Sequence, residues 1–188
     1  MDLPAKAILE AVLFASDRPL SLQDLSGVLD LGAEAVRQLL EELRQEHAQS
    51  GRAFAVEEIA GGFQILTLPE YAPWLNRLRP ARRPGRLSPA ALETLAIVAY
   101  KQPVTRAEIE SIRGVQAGPI LRTLLDRELL RTAGRAEVLG SPLLYATTEG
   151  FLEVYGLKSL EDLPQSSDFR SPAFPAPAPV PSPVPEGA

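Results

Sequence analysis

The sequence predicts a mainly α-helical protein with small β-hairpin wings: two tandem winged-helix domains, a helix-turn-helix variant, and then a disordered Pro-rich C-terminal tail. Three observations predict this fold. Two segments align when the second is shifted by 84 residues. In each segment three helical patterns are followed by a hairpin pattern. Past residue 164 the composition turns to Pro and Ala, which cannot build a packed core.

The first helix of each copy carries an apolar stripe with i, i+3, i+4, i+7 spacing, which is typical of an amphipathic helix. The stripe predicts the buried face of that helix. Its residues are Ile8, Ala11, Val12 and Ala15 in the first copy, and Leu92, Leu95, Ala96 and Ala99 in the second.

The second helix of each copy follows a turn that contains Pro19 or Pro103. Thr105 and Glu108 have the spacing of a capping box, in which each side chain accepts a hydrogen bond from a free backbone N–H of the other. Ser21 occupies the position equivalent to Thr105. The pattern therefore predicts that a second helix begins directly after each of these hydroxyl residues.

The third helix of each copy precedes two strand-like runs. The runs of the first copy flank Gly61 and Gly62, which accept the positive φ of a tight turn, and those of the second flank a loop over residues 134–140. The apolar faces of the third helices are predicted to be Val36, Leu39, Leu40 and Leu43 in the first copy, and Ile120, Leu121, Leu124 and Leu125 in the second.

The pattern divides the chain into four parts. We expect an N-terminal winged-helix domain over 1–79, a basic linker over 80–86, a C-terminal winged-helix domain over 87–164 and a disordered tail over 165–188. Before the linker, Tyr71, Trp74, Leu75 and Leu78 share one face of a predicted short helix.

Composition argues against an enzyme. With no Cys and one His (His47), the chain has no thiolate nucleophile and too few ligands or bases for most metal sites and catalytic triads. His47 is predicted to be half-buried or capping at the end of its helix. We therefore expect no catalytic residue, no metal and no cofactor. No apolar run is long enough to cross a membrane, which predicts a cytoplasmic protein without a membrane partner.

The charge distribution gives little support to DNA reading by the third helices. Residues 34–46 of the first carry a net charge of about -2 and residues 122–128 of the second about zero, whereas a DNA-reading helix needs basic and amide side chains. The linker region is basic and is the candidate for weak DNA phosphate contacts, with a solubilising role as the equal alternative. Its arginines are Arg77, Arg79, Arg82, Arg83 and Arg86.

Surplus apolar residues indicate protein partners instead. The first helices carry more apolar side chains than one small domain can cover, which marks either a thick core or a surface for a partner. For the first copy we expect self-association, with core burial as the rival interpretation. The candidate dimerisation residues are Leu9, Leu13, Phe14, Trp74 and Leu78.

Several segments of the second copy resemble the segregation and condensation protein B family. They are "LSPAALETLAIVAYKQPVTRAEIESIRGV", "LRTLLDRELL" and "GSPLLYATTEGFLEVYGLKSLEDLP". Ser141 stands where the family pattern has Arg in the wing, and Ala146 where Gly is usual. The resemblance implies a nucleoid-associated homodimer that binds the central region of the kleisin subunit, segregation and condensation protein A, and through it the SMC ATPase. The alternative interpretation is a winged-helix DNA-binding transcription regulator.

The predicted kleisin-binding surface lies around the turn between the first two helices of the second copy. Pro103 and Thr105 also have a structural interpretation, as turn and cap, and Arg106 and Glu110 have the spacing of a surface ion pair. Lys101, Arg106 and Arg113 are without an evident structural task at this level. The candidate residues are Tyr100, Lys101, Gln102, Pro103, Thr105, Arg106, Glu110 and Arg113.

Overall fold

A computed structural model describes residues 3–78 and 87–165 of the chain. The predicted linker over 80–86 lies outside the described residues, and so does the predicted tail apart from Gln165. The described parts are mainly helical with two small antiparallel sheets. Among the described helices, none combines the length and the apolar character needed to span a bilayer.

The first half contains four helices and a three-stranded sheet. Strand β3 lies in the centre of this sheet, paired antiparallel with β1 on one side and β2 on the other. The elements are α1 (Ala5–Ala15), β1 (Leu20–Ser21), α2 (Leu22–Leu29), α3 (Ala33–Gln49), β2 (Phe54–Ile59), β3 (Gly62–Thr67), a 3-10 turn (Pro69–Tyr71) and α4 (Ala72–Leu78).

The second half repeats this order up to the hairpin, after which the helix precedes the 3-10 turn. Strand β6 is central, between β4 and β5, and both pairings are antiparallel. The elements are α5 (Pro89–Lys101), β4 (Val104–Thr105), α6 (Arg106–Arg113), α7 (Gly118–Asp126), β5 (Leu130–Arg135), β6 (Leu143–Thr147), α8 (Glu149–Tyr155) and a 3-10 turn (Leu160–Asp162).

Each half has a hydrophobic core of its own, formed where its first three helices pack on its sheet. The buried core residues of the first half are Leu9, Leu13, Leu25, Val36, Leu40, Leu43 and Val56. The core of the second half is larger and joins Phe151 of α8 to residues from α5, α6, α7 and the sheet, among them Leu95, Val98, Ile109, Leu121, Leu124 and Leu130.

Capping boxes start the second helix of both halves, as the hydroxyl residues predicted. The Thr105 hydroxyl accepts the Glu108 N–H at 3.3 Å, and the Glu108 carboxylate accepts the Thr105 N–H at 2.8 Å. Ser21 and Asp24 form the same reciprocal pair in the first half. In both boxes the hydroxyl donates to the same carboxylate, so the two free helix termini are satisfied in the same way.

The predicted inward stripes of the two first helices are wrong in register. In α1 the fully buried residues are Leu9 and Leu13, whereas Ala11 and Ala15 are exposed. In α5 the buried face includes Leu95 and Ala99 as predicted, but also Ala91, Thr94 and Val98, and it leaves Leu92 and Ala96 exposed.

A difference in loop length accounts for the error in α1. Residues 16–19 join α1 to β1, but only residues 102–103 join α5 to β4. A shift of 84 residues therefore aligns α2 with α6 and misaligns α1 with α5 by two positions. A shift of 86 instead pairs Leu9 with Leu95, Val12 with Val98 and Leu13 with Ala99, so residues of similar burial coincide.

The two capping carboxylates predict a pH dependence of stability. Hydrogen bonds, first from the Thr105 backbone N–H and then from its hydroxyl, lower the pKa of Glu108 below its ordinary value of 4.5. The stabilisation is complete above pH 4.5 and is lost as pH falls through the lower, folded-state pKa. In thermal melts between pH 6 and pH 3, the difference between the wild type and Glu108→Gln should therefore shrink as pH falls.

Asp24→Asn is the matched change in the other half, because the Ser21 hydroxyl and backbone N–H likewise lower the pKa of Asp24. Glu34→Gln removes one carboxylate from the surface of α3 without touching a capping box. A Glu108→Gln curve that runs parallel to the wild-type curve at every pH would contradict the role given to this carboxylate.

Candidate protein-binding surface

Gln102 is a structural residue, although the sequence placed it on the kleisin-binding surface. Its side-chain oxygen accepts the Thr147 N–H at 2.8 Å and the Thr147 hydroxyl at 3.0 Å. Its side-chain nitrogen donates to the Ala99 carbonyl at 3.2 Å. The first two bonds join the end of α5 to β6 and the third stays within the last turn of α5, so this side chain is already occupied within the fold.

The Arg106–Glu110 ion pair is present, and it also supports the turn between α6 and α7. Arg106 Nε lies 2.7 Å from the Glu110 carboxylate, which also accepts the Ala117 N–H at 2.8 Å. These two bonds, the backbone one first, lower the pKa of Glu110. The Arg106 guanidinium packs over Gly118, where an added Cβ would come within 3.1 Å of it. Glu110 is therefore a turn-forming residue, whereas the Arg106 side chain stays half exposed.

Arg113 has a structural task that the sequence did not reveal. Its side chain is 5% exposed, and its Nε donates to the Glu93 carboxylate on α5 at 3.2 Å. Its Nη1 also donates to the Gln116 carbonyl, at 3.4 Å. The expectation of a free cation is therefore wrong here, because the guanidinium is covered and joins the end of α6 to α5.

Four of the eight predicted residues remain available on the surface. Lys101 and Pro103 are exposed on either side of Gln102, and Arg106 is half exposed at the start of α6. Tyr100 is half exposed, and its hydroxyl donates to the Pro164 carbonyl. Thr105, by contrast, is buried and occupied by its cap. We call these four residues, Tyr100, Lys101, Pro103 and Arg106, the α5–α6 surface.

Sequence reasoning missed an apolar groove that begins at Tyr100. It lies between α5 and α8, has a volume of about 380 Å³ and is closed at one end by the segment that follows α8. The exposed residues Leu92 and Ala96 belong to its wall, so the corrected register of α5 marks one of its sides. Its lining residues are Leu92, Leu95, Ala96, Ala99, Tyr100, Phe151, Tyr155, Leu157, Leu163 and Pro164.

The dimerisation candidates separate into core and surface residues. Leu9 and Leu13 are fully buried in the core of the first half, so the expectation that they contact a second chain is wrong: exposing them would open that core. Phe14 on the same helix is 76% exposed. Trp74 and Leu78 are also exposed on α4, where the predicted apolar face has no cover within the described residues.

The remaining candidates are the linker arginines and His47. Arg77 is exposed in the last turn of α4, and Arg79, Arg82, Arg83 and Arg86 lie outside the described residues. His47 is buried at the end of α3, with its Nε2 3.1 Å from the Glu10 carboxylate. Residues 3–78 and 87–165 contain no cluster of His, Cys, Asp and Glu that could hold a metal ion.

The covered position of Arg113 predicts that its loss destabilises the fold. Arg113→Ala should lower the free energy of unfolding by about 1–2 kcal/mol, because it removes charged hydrogen bonds and the packing of the side-chain stem. Lys101→Ala, on the exposed side of the same region, should leave it unchanged. Urea denaturation of the two variants and the wild type measures both effects, and equal midpoints for all three proteins would refute the structural role.

Comparison with known proteins shows the family to which this chain is similar. The family described as "Segregation and condensation complex subunit ScpB" matches residues 7–166. Segregation and condensation protein B of Syntrophotalea carbinolica is 49% identical over 164 residues, which cover 87% of this chain and 83% of the relative. The protein of the same name from Brevibacillus brevis is 47% identical over 161 residues, covering 85% and 83%.

Solved structures are also similar in sequence. Crystalline ScpB from Mycobacterium tuberculosis is 34% identical, covering 84% of this chain and 99% of that one, with a TM-score of 0.40. A dimer of an ScpB N-terminal domain complexed with an ScpA peptide is 36% identical, covering 43% and 98%, also with a TM-score of 0.40. By the family match and the identity to its relatives, this chain belongs to the family of the segregation and condensation complex subunit ScpB.

Proposed function

We propose that this chain is a non-enzymatic adaptor subunit of an SMC–kleisin complex that acts in chromosome condensation and segregation. The observation that carries the proposal is the family match over residues 7–166, because the family is described as a subunit of the segregation and condensation complex. A subunit of this kind works through contacts with other chains. The exposed apolar and basic side chains of the described surface suit such contacts, and the action of the complex on chromosomes implies a place in the cytoplasm at the nucleoid.

Both halves are proposed to be winged-helix domains used for protein contacts. Their common order of helix, short strand, two helices and hairpin supports this assignment. The third helices, α3 and α7, carry no excess of basic residues, which argues for protein partners over direct DNA reading. The domain limits 1–79 and 87–164 belong to the same proposal.

Dimerisation is assigned to the first half, through Phe14 and the apolar face of α4. Phe14 is a large aromatic side chain with most of its surface exposed at the end of α1, and Trp74 and Leu78 add further exposed apolar area. Burial of aromatic side chains supplies much of the binding energy in interfaces. An interface between two copies would remove this area from water.

The central region of the kleisin, ScpA, is assigned to the α5–α6 surface of the second half. Tyr100 offers a half-exposed aromatic ring, Lys101 supplies a positive charge next to it in the chain, and Arg106 adds a half-exposed guanidinium that is paired with Glu110. Such a combination of an aromatic anchor with flanking cations suits a peptide that carries both apolar and acidic residues. The SMC ATPase is then reached through the kleisin.

Calorimetric titration with the central ScpA fragment from the same organism tests the kleisin contact. We expect saturable binding with one ScpA fragment for every two chains. Lys101→Glu should weaken it about tenfold, because reversal of one interface charge costs about 1.4 kcal/mol at that ratio. Arg122→Glu, an equal charge change on the exposed side of α7, should bind like the wild type.

Thermal melts accompany this titration, since only a variant with unchanged stability reports on the surface. If Lys101→Glu binds ScpA as tightly as the control Arg122→Glu and the wild type do, the α5–α6 surface is not the site. If the wild type itself gives no heat and no complex on gel filtration, the adaptor function is refuted.

Phe14→Glu tests the dimer. The charged side chain would have to be buried without a partner in the interface, so we expect the dimer to dissociate into folded monomers. Light scattering after gel filtration measures the mass of each species. Leu139→Glu is the matched control, because Leu139 is a fully exposed apolar residue in the β5–β6 loop of the other half. A Phe14→Glu protein that remains dimeric would place the interface elsewhere.

A further inference from the structure

The α5–α8 groove is an apolar surface with two half-exposed aromatic rings. Tyr100 and Leu92 are half exposed on its α5 wall, and Tyr155 is half exposed on its α8 wall. The floor is formed by core residues such as Leu95 and Phe151, which hold the two walls in place. A preformed groove with aromatic walls is the kind of surface that Pro-rich segments bind in the extended polyproline conformation.

The described chain ends at this groove. After α8 the backbone turns through Leu160–Asp162, and Leu163 and Pro164 then form part of the groove wall. The Tyr100 hydroxyl holds the Pro164 carbonyl. Gln165 lines an adjoining cavity of about 610 Å³ together with Tyr100. Residues 166–188 therefore start beside the groove and need no spacer to reach it.

The sequence that follows has the composition of a ligand for such a groove. Residues 166–188 contain seven prolines and two phenylalanines, and only three charged side chains, Asp168, Arg170 and Glu186. Phe169 and Phe174 come within ten residues of Gln165, and alternating Pro follows in "FPAPAPVPSPVP". Proline fixes φ in advance, which reduces the conformational entropy lost on binding.

We propose that the Pro-rich segment 166–188 docks in the α5–α8 groove of its own chain. Tethering at the groove mouth gives this segment an effective concentration of order millimolar, so even a weak contact is populated. The docked segment would cover Leu92 and Tyr155 and extend the hydrophobic core of the second half. The groove shares Tyr100 with the α5–α6 surface assigned to ScpA, but the test of this inference contains no ScpA and is therefore separate.

Paramagnetic relaxation in the full-length protein tests the docking. Because the chain has no cysteine, Ser171→Cys provides a unique attachment site for a nitroxide label. We expect the amide signals of Tyr155 and Leu92 to lose most of their intensity and to recover when the nitroxide is reduced. Amides in the core of the first half, such as those of Leu25 and Val36, should keep their full intensity.

Two further samples test which residues anchor the segment and whether the docked segment belongs to the same chain or to a second copy. In the labelled protein, replacing Phe169 and Phe174 with Ala should restore the groove signals, because these rings are the expected anchors. A mixture of ¹⁵N-labelled wild type with nitroxide-labelled chains of natural isotope content should show no broadening at the groove. Broadening in that mixture would assign the groove to the segment of a second copy and overturn the own-chain docking.

Unchanged groove signals in the first sample would also overturn the proposal, and so would broadening spread equally over both halves. Thermal melts verify that the labelled protein and its variant with Phe169→Ala and Phe174→Ala are both folded. The result does not depend on whether ScpA binds, so the docking and the adaptor function can fail separately.

Discussion

The hydrogen bonds between Gln102 and Thr147 fix the end of α5 against strand β6, and the arrangement of the second half depends on this contact. Gln102 follows the last residue of α5, and its side-chain oxygen accepts both the backbone N–H and the hydroxyl of a residue in the central strand β6. Two residues further on, β4 pairs with the same strand, with Val104 opposite Tyr145. These contacts lie within a few residues of one another in the chain, and together they hold the end of α5 and the start of α6 against the sheet. Buried polar groups that are satisfied in this way specify one arrangement, since any other would leave them without partners.

That arrangement decides which side chains of α5 face the core and which face the groove. Ala91, Leu95 and Val98 belong to the core of the second half, and Leu92, Ala96 and Tyr100 line the groove beside α8. The same helix therefore supports a core and lines a groove, because its apolar residues cover more than one face. In the first half, the equivalent surplus is Phe14, exposed next to the buried Leu13. The two halves therefore share an order of elements but expose different apolar surfaces.

Some of the charged residues around α6 are occupied by contacts within the fold, and others remain exposed. Glu108 and Glu110 have their pKa values lowered by backbone N–H groups, so both carboxylates serve helix ends and turns. Arg113 is covered by its contacts with Glu93 and Gln116, whereas Lys101 stays exposed. Four of the eight residues that the sequence grouped by proximity are therefore taken up by the fold. Closeness in the sequence therefore does not show which of these side chains are structural. Their burial and their hydrogen bonds do.

The sequence by itself determined the order of the helices and hairpins, the Thr105–Glu108 capping box and the resemblance to the ScpB family, but it did not show the short strands β1 and β4. These are local properties: a hydroxyl and a carboxylate three residues apart cap a helix whatever surrounds them, and the apolar spacing marks a helix without stating its rotation. The tertiary structure decided the register of α1 and α5, the burial of Leu9, Leu13 and Arg113, and the groove beside Tyr100. The two-residue difference in loop length is visible only once the helix ends are known. Burial and grooves depend on contacts between segments far apart in the chain, which no local pattern contains.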